Sequence, residues 1–543
     1  MVLRILPFQT PPGIIAAMDD KGHVARAAGK MSTATMVSRV LGYVRDMLFG
    51  ALFGAGNIMD AYLVAFRIPN LFREVFAEGS MSAAFVPVLT ETQARSGEDE
   101  TRKVVRITFT FILTAVGGFC LVGMFFTPAL VSVIAPGWLD EPEKFRSTVL
   151  LARIMFPFLL FVSLAAMAMG TLNTRGVFFI PALAPAVLNV VTIGVVLLLF
   201  SRVSPPIMAL AIGVALGGVA QFGIQLPPFF SHGFSLKPLF QFNHPDLRKM
   251  FALALPVVLA MSTNQINIFV TNILASYLPE GSITYLYYSM RLIHLPIGVF
   301  GVAMAVAVLP TLSRQAVAGD MNSLRDTFSF AVRLLFFITL PAMAGLIALR
   351  VPIVSTLFQY GRFGADGVAG TASALLFYSM GIWSMVGMRV AASAFYSMQD
   401  TRTPVRIAVM GLLSNVLLSL GLMRFMGHNG LALANAVASA VQFVLLLYYL
   451  RRKMGGIDGR RIAYSFLRNG AIAAFMAGAC WLALRNGPWL AGSGSPWQRV
   501  AYLAAGLGFG ASLYTGIARL SGGEELRYLL QLLKSRRSED AQV

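Results

Sequence analysis

RIPNLFREVFAEGSMSAAFVPVL at residues 67–89 and RLIHLPIGVFGVAMAVAVLPTL at residues 291–312 are two versions of one segment. Arg67 aligns with Arg291 and Val75-Phe76 with Val299-Phe300, all at a shift of 224, and Pro87 meets Pro310 after a single gap. A second echo lies farther on. Asn173-Thr174-Arg175 followed by Pro181 and Asn189 returns as Asp400-Thr401-Arg402 followed by Pro404 and Asn415, at a shift of about 227. Two matches at nearly one offset make an internal repeat.

The setting of that repeat is a membrane. The 543 residues are 57% hydrophobic and 12% charged, with mean hydropathy +0.72, where a soluble domain carries roughly 25% charged residues. Apolar runs near 20 residues recur from end to end, each long enough to cross ~30 Å of hydrocarbon as a helix. No ~10-residue alternating strands of an outer-membrane barrel are present. The chain reads as an all-α integral membrane protein with about fourteen transmembrane helices, over 31–54, 57–89, 104–134, 147–170, 178–201, 205–230, 247–278, 283–312, 326–349, 367–398, 404–425, 429–450, 462–484 and 497–520. Residues 350–366 form a short re-entrant or amphipathic connection.

In that frame the repeat maps the second span onto the eighth and the fourth onto the tenth. A shift of six spans is even, so the halves share one orientation and are related by a pseudo-two-fold along the membrane normal. The expected organisation is a disordered cytoplasmic leader (1–30), an N-lobe of six helices (31–230), a C-lobe of six (247–450), two additional helices (462–520) and a cytoplasmic tail (521–543). Two such lobes around a shared cleft suggest alternating access. Pro157, Pro185, Pro256, Pro296, Pro310 and Pro341 supply candidate bends.

Net charge is +19, which in a soluble chain would suggest nucleic acid. Here the basic residues fall between apolar runs, as the positive-inside rule requires, so no nucleic-acid partner is expected. Lys and Arg concentrate in 1–30, 90–103, 171–177, 231–249, 313–325, 399–406, 451–461 and 521–543. Those stretches, and with them both termini, are read as cytoplasmic. Cys120 and Cys480 sit in apolar runs and imply neither disulfides nor a metal site. The leader lacks a hydrophobic core and cleavage site and is not a signal peptide.

Chemistry concentrates at the start. Arg39, Arg45, Asp46, Asp60, Arg67, Arg73, Glu74 and Glu78 interrupt the first two spans. A charge near the bilayer centre costs at least ~2.5–3.5 kcal/mol on insertion scales, so one that is kept faces a watery cavity or a partner. The arginine excess suggests an anionic cargo, because the guanidinium fork suits phosphate oxygens and several together suit a pyrophosphate. The same arginines could instead pair with the neighbouring carboxylates and lock helices together. Arg39 and Arg45 are about 120° apart on a helix, able to flank a cavity but not to form a row; Asp46 is better placed to pair with a neighbouring span. Arg291 is the second half's contribution. His294 shares its face and could titrate near neutral pH, coupling transport to protons, or be a satisfied interior histidine. Arg389 interrupts the tenth span. The polar run Ser262, Thr263, Asn264, Gln265, Asn267, Thr271 and Asn272 could coordinate sodium through oxygens or bridge helices. The five histidines are scattered and no Walker-type loop is present, so neither an enzyme nor direct ATP drive is expected.

The motifs SRVLGYVRD (38–46), DAYLVAFRIPNLFREVFAEGSMSAAFVPVLTE (60–91), YYSMRLIHLPIGVFGVAMAVAVLPTLS (287–313), LFQYGRF (357–363) and FYSMQDTRTPVRIA (395–408) closely resemble the MurJ (MviN) family of lipid II flippases, in the multidrug/oligosaccharidyl-lipid/polysaccharide exporter superfamily. The resemblance covers essentially the whole chain after residue 30. It implies a monomeric multi-pass protein of the bacterial inner membrane, needed for peptidoglycan synthesis, cell-wall biogenesis and cell shape. Such a protein translocates undecaprenyl-pyrophosphoryl disaccharide-pentapeptide from the inner to the outer leaflet. By motif, the pyrophosphate-holding arginines fall on Arg39, Arg45, Arg73 and Arg291 and the functional aspartates on Asp46 and Asp60. The two additional helices would form a groove for the polyprenyl tail. Partners implied are lipid II, membrane lipids and cell-wall synthesis proteins. No cofactor is implied beyond coupling to a monovalent cation, a proton or the membrane potential. The chain departs from the family in two places: His294 stands where a glutamate often follows the arginine by three positions, and the seventh span lacks the aspartate of a family sodium site. Alternatives are a MATE-like drug/cation antiporter, which would favour acidic cavity residues, an O-antigen-type polysaccharide-lipid flippase, and a non-transporting scaffold for cell-wall enzymes.

Overall fold

The computed structural model describes residues 12–74, 84–487, 495–528 and 531, with side chains left undescribed at 12–30, 32, 259–264, 299 and 302. Glu78 therefore lies outside the described residues. All regular secondary structure among them is helical. In order run α1 (Pro12–Phe53), α2 (Asn57–Arg73), α3 (Val86–Phe125), α4 (Thr127–Ile134), α5 (Pro142–Asn173), α6 (Phe179–Leu199), α7 (Met208–Gly223), α8 (Leu226–Ser231) and α9 (Pro245–Ala275). There follow α10 (Ser282–Pro296), a π-turn at Ile297–Gly301, α11 (Val302–Val317), α12 (Met321–Ala348), α13 (Arg350–Phe358), α14 (Ala365–Ser379) and α15 (Ile382–Ser397). The last are α16 (Arg402–Met426), α17 (His428–Met454), α18 (Gly459–Leu484) and α19 (Pro496–Leu520).

Nine helices among the described residues are long and apolar enough to cross a membrane, or ten if α14 and α15, bent by 41°, count as one span. The remaining spans expected from the sequence are α1, α2, α9 and the α10–α11 run, where charges, a π-turn or undescribed side chains interrupt the apolar window. Helix α1 begins at Pro12 and so runs through much of the leader expected to be disordered; residues 14–28 hold five alanines and no proline, a helix-forming composition. Helix α3 likewise extends through the basic stretch 90–103, broken only at Gly97, whose φ of 79° is non-helical. Pro157, Pro185, Pro256, Pro310 and Pro341 sit inside uninterrupted helices, as membrane helices tolerate when neighbours satisfy the freed carbonyls.

By contact the chain forms two compact units. The first comprises Met1–Leu48, Val64–Val131 and Phe145–Ser262; the second comprises Phe49–Leu63, Ser132–Lys144 and Thr263–Val543. Inside the first, α6 and α7 approach closely because Gly217 leaves room for Thr192 and Leu188, 2.9 and 3.1 Å from where a Cβ would stand. Small residues drive such association where lipid offers no hydrophobic gain. Arg175 on the turn after α5 pairs with Glu98, lowering that carboxyl below its ordinary range.

Inside the second unit an aromatic cluster joins four helices. Phe336 (α12), Trp383 (α15), Phe443 (α17) and Phe466 (α18) have ring centroids 5.0–6.3 Å apart. The two C-terminal helices are fixed to it further by Tyr514 Oη donating to Phe337 O at 3.0 Å and by Glu525, buried between Arg468 (2.6 Å) and Arg333 (3.7 Å). The tip of the α1–α2 hairpin packs on the stretch after α13. Arg362 N donates to Ala51 O at 2.8 Å, and Gly361 (φ +55°) lies so close that a Cβ would stand 2.3 Å from that same oxygen. At the turn before α16, Asp400 accepts from Thr403 N (3.0 Å) and from Lys453 Nζ (2.6 Å). Partial burial raises the Asp400 carboxyl, but these donors outweigh it and bring it down to about 2.

Gly361→Ala should destabilise the purified protein by about 2–4 kcal/mol, combining overpacking with a left-handed backbone. Gly364→Ala, with open space around it and φ −73°, should be close to neutral in the same thermal-unfolding measurement. The Asp400 contribution is fully present above the ordinary value of 3.8 and is lost as pH falls toward about 2. Lys453→Gln should shrink that acid-labile part, read as a smaller drop in unfolding midpoint across the same pH window.

Candidate site for an anionic head group

In the first unit, α1 brings two of the predicted residues, Arg45 and Asp46, together with Asn189 from α6. Arg45 wraps back on its neighbour: Nε and Nη2 donate to Asp46 Oδ1 at 3.0 and 2.7 Å, and Nη1 donates to Asn189 Oδ1 at 3.1 Å. Asn189 closes the arrangement by donating Nδ2 to Ser38 O at 3.3 Å. Asp46 is 2% exposed and the Arg45 side chain 14%. The sequence spacing favours Asp46 pairing with a neighbouring span; the structure shows it also taking the guanidinium of its own neighbour, Arg45. Arginine's three-carbon stem is long enough to fold its fork onto the adjacent carboxylate, and the pair then enters low-dielectric surroundings as one nearly neutral group. Arg39 is exposed one and a half turns earlier on the same helix.

On α2, Arg67 is half-buried. Arg73 closes the helix, with Nε donating to Asn70 Oδ1 at 2.9 Å and Nη2 3.8 Å from Glu74 Oε1. Asn70 Nδ2 donates to Glu74 at 3.3 Å. Arg45 and Arg73 are thus alike in that each guanidinium reaches a neighbouring carboxylate and a side-chain amide.

In the second unit, Asp60 is 2% exposed and caps α10. Its Oδ2 accepts from Gly281 N at 2.7 Å; its Oδ1 accepts from Thr284 N at 2.9 Å and Thr284 Oγ1 at 2.6 Å. A carboxylate at a helix N-terminus is favoured by the orphan N–H groups and by the helix dipole. Asp60 therefore anchors the helix that carries Arg291, ten residues beyond Gly281. Arg291 is half-buried and His294, one turn on, is exposed; Pro296 and the π-turn follow. Such π-turns occur frequently at functional sites. Arg389 is also exposed.

Residues not singled out by charge complete the picture. Asn415 on α16 donates Nδ2 to Asn267 Oδ1 on α9 at 2.6 Å. Asn189 and Asn415 are repeat mates, so one register position bridges helices in both halves, by an arginine in one and an amide in the other. The echo of Asn189 in Asn415 was the available signal; Asn70 and Thr284 gave none.

The α9 polar run does not fit the family's sodium site. Thr271 Oγ1 bonds Asn267 O and Asn272 Nδ2 bonds Ile268 O, both on their own helix, Asn267 is engaged by Asn415, and no carboxylate lies on the described part 265–275. Ser262, Thr263 and Asn264 have undescribed side chains.

A model of the family described as lipid II flippase MurJ matches residues 49–495. The "Probable lipid II flippase MurJ" of Vibrio cholerae serotype O1 is 35% identical over 500 residues, covering 91% of this chain and 95% of that protein. The "Lipid II flippase MurJ" of Burkholderia cenocepacia is 34% identical over 505 residues, covering 92% and 98%. Among solved structures, a lipid II flippase MurJ in an inward closed conformation superposes with a TM-score of 0.74 at 26% identity, covering 90% of this chain and 98% of that one. An inward-facing MATE-family multidrug transporter superposes with a TM-score of 0.65 at 14% identity, covering 80% and 99%. The latter likeness is one of fold.

Removing the Asp60 carboxylate should loosen the start of α10. In hydrogen exchange of the full chain, Asp60→Ala should speed exchange of the Gly281 and Thr284 amides by the equivalent of on the order of 2–3 kcal/mol, since hydrogen bonds to charged groups contribute ~1.5–3 kcal/mol. Unchanged protection would show that α10 is held without it.

Proposed function

The chain belongs to the MurJ family of lipid II flippases, and from that premise we propose how its own residues move the cargo. It is a lipid II flippase of the bacterial inner membrane serving peptidoglycan synthesis. Its cargo combines a pyrophosphate, a bulky polar disaccharide-pentapeptide and a polyprenyl tail too long to leave the membrane. Arg39, Arg45, Arg73 and Arg291 attract the pyrophosphate from the cytoplasmic side, and alternating access delivers the head group to the outer leaflet while the tail stays in lipid beside the two C-terminal helices.

The observation that carries this reading is the construction around Arg45. A guanidinium bonded only to a carboxylate would be spent as a helix lock. Here Asp46 takes Nε and Nη2, while Nη1 rests on a neutral amide, a partner that phosphate oxygens displace at smaller electrostatic cost. Arg73 repeats the design with Asn70. Asp46 and Asp60 then act as positioning carboxylates, one orienting a guanidinium and the other the helix of Arg291. The protein works with both termini cytoplasmic and as a monomer. Resetting draws on the membrane potential, worth ~2.3 kcal/mol per charge per 100 mV, or on a monovalent cation or proton. His294, exposed beside Arg291, is the candidate proton carrier.

The arginine surplus disfavours a drug/cation antiporter, for which acidic cavity groups would serve. Arg45→Ala and Arg291→Ala should each abolish the appearance of lipid II in the outer leaflet of a depleted strain while leaving membrane insertion intact. Arg45→Lys should fall between, keeping the charge but losing the planar fork. Full complementation by either alanine variant would refute the assignment.

A further inference from the structure

The stretch between α8 and α9 has no part in the cargo reading, yet it is tied down at several points. Residues 234–244 run without helix alongside the start of the apolar part of α3. Leu239 N donates to Thr110 Oγ1, fully buried, at 2.7 Å, and Arg106 Nε donates to Lys237 O at 3.0 Å. At its end, His244 Nε2 lies 2.9 Å from Glu100 Oε1, and Lys249 pairs with Glu91.

What this stretch displays is a mismatch for water. Phe240, Phe242 and Phe251 are 68%, 44% and 49% exposed, and they join in a chain of edge contacts through Phe111: Phe240–Phe242 at 6.0 Å, Phe242–Phe111 at 6.1 Å, Phe111–Phe251 at 4.8 Å. Beside them stand three cations with no carboxylate partner among the described residues. Arg106 meets a carbonyl, Arg248 bonds Asn243, and the Lys237 side chain is exposed. Other cations of the region are neutralised, Lys249 by Glu91 and Lys103 by Glu100. The unneutralised ones are those next to the rings.

We propose that this linker is a binding surface for anionic glycerophospholipid, with Phe240, Phe242 and Phe251 seated at the head-group boundary and Arg106, Lys237 and Arg248 on the lipid phosphates. Aromatic rings settle at the membrane–water interface. Basic side chains near an anionic leaflet each strengthen attachment about five-fold. By the distribution of Lys and Arg the leaflet is the cytoplasmic one. Because the linker joins the two repeats, a lipid held here fixes the entry of α9 to α3. The occupancy itself does not depend on which cargo the protein moves.

The test uses the purified full chain and measures phosphatidylglycerol binding by native mass spectrometry, with vesicles of phosphatidylcholine alone or doped with phosphatidylglycerol as a second readout. Lys237→Glu should weaken phosphatidylglycerol binding at least about five-fold, and Phe240→Ser with Phe242→Ser should weaken it comparably. Arg202→Glu, the same charge change on an exposed residue of a distant turn, should leave it unchanged. Equal effects of Lys237→Glu and Arg202→Glu, or none from either, would overturn the proposal. So would displacement by inorganic phosphate, which would mark a simple anion site. The Lys237 side chain is exposed, with no ion pair among the described residues, so its variant reports binding directly, and flipping activity is not required for the readout.

Discussion

A guanidinium inside an apolar chain segment must be held, and on α1 its holder is the next residue. The Arg45–Asp46 contact costs almost no loop entropy, since adjacent residues are already within reach. One carboxylate oxygen takes two N–H groups of Arg45, and the third direction goes to Asn189 on α6. The first helix is thereby set against α6 at the depth where the charge sits. Removing one member of the pair leaves the other's charge less well compensated, which costs more than losing both. This mutual dependence explains how charged residues persist in a segment whose neighbours are uniformly apolar.

The hydropathy pattern located helix ends to within a few residues wherever composition alone decides them. The expected spans 178–201, 404–425 and 497–520 became α6, α16 and α19 with shifts of at most two residues. A bilayer imposes one length and one polarity, so little else competes. Where charge is present the pattern says less. Residues 90–103 are basic and acidic by turns, suggesting a loop, but i,i+3 and i,i+4 pairs such as Lys103–Glu100 and Arg95–Glu91 hold them helical. The partner of Asp46 and the capping task of Asp60 were not legible either. A carboxylate written alone in a sequence does not say whether it answers a cation, a helix terminus or a cargo. Only the position of Gly281 and Thr284 decides that for Asp60.

The repeat adds an evolutionary constraint that geometry makes specific. Asn189 and Asn415 occupy matching positions and both reach toward the helix opening their half, yet they meet different chemistry, a guanidinium on α1 and an amide on α9. The shared scaffold keeps the bridge while charge has gathered in the first half.

Helices α1 and α2 also link the two units covalently. Their stems belong to the first and their tip, Phe49–Leu63, to the second. The tip is held by backbone contact at Ala51 and Gly361 and by Asp60 on the N-terminus of α10. From Arg45 the chain runs fifteen residues along α1 and α2 to Asp60, crosses one carboxylate–amide junction, and continues ten residues down α10 to Arg291. The chain path from Arg45 to the helix that carries Arg291 thus consists of the end of α1, the start of α2 and one capping contact. Helix bending needs a proline, a glycine or a π-turn, and α1 has only Gly42 and Gly50 near the unit boundary. The glycines make bending possible there, while Asp60 holds the N-terminus of α10 on the tip side of the boundary.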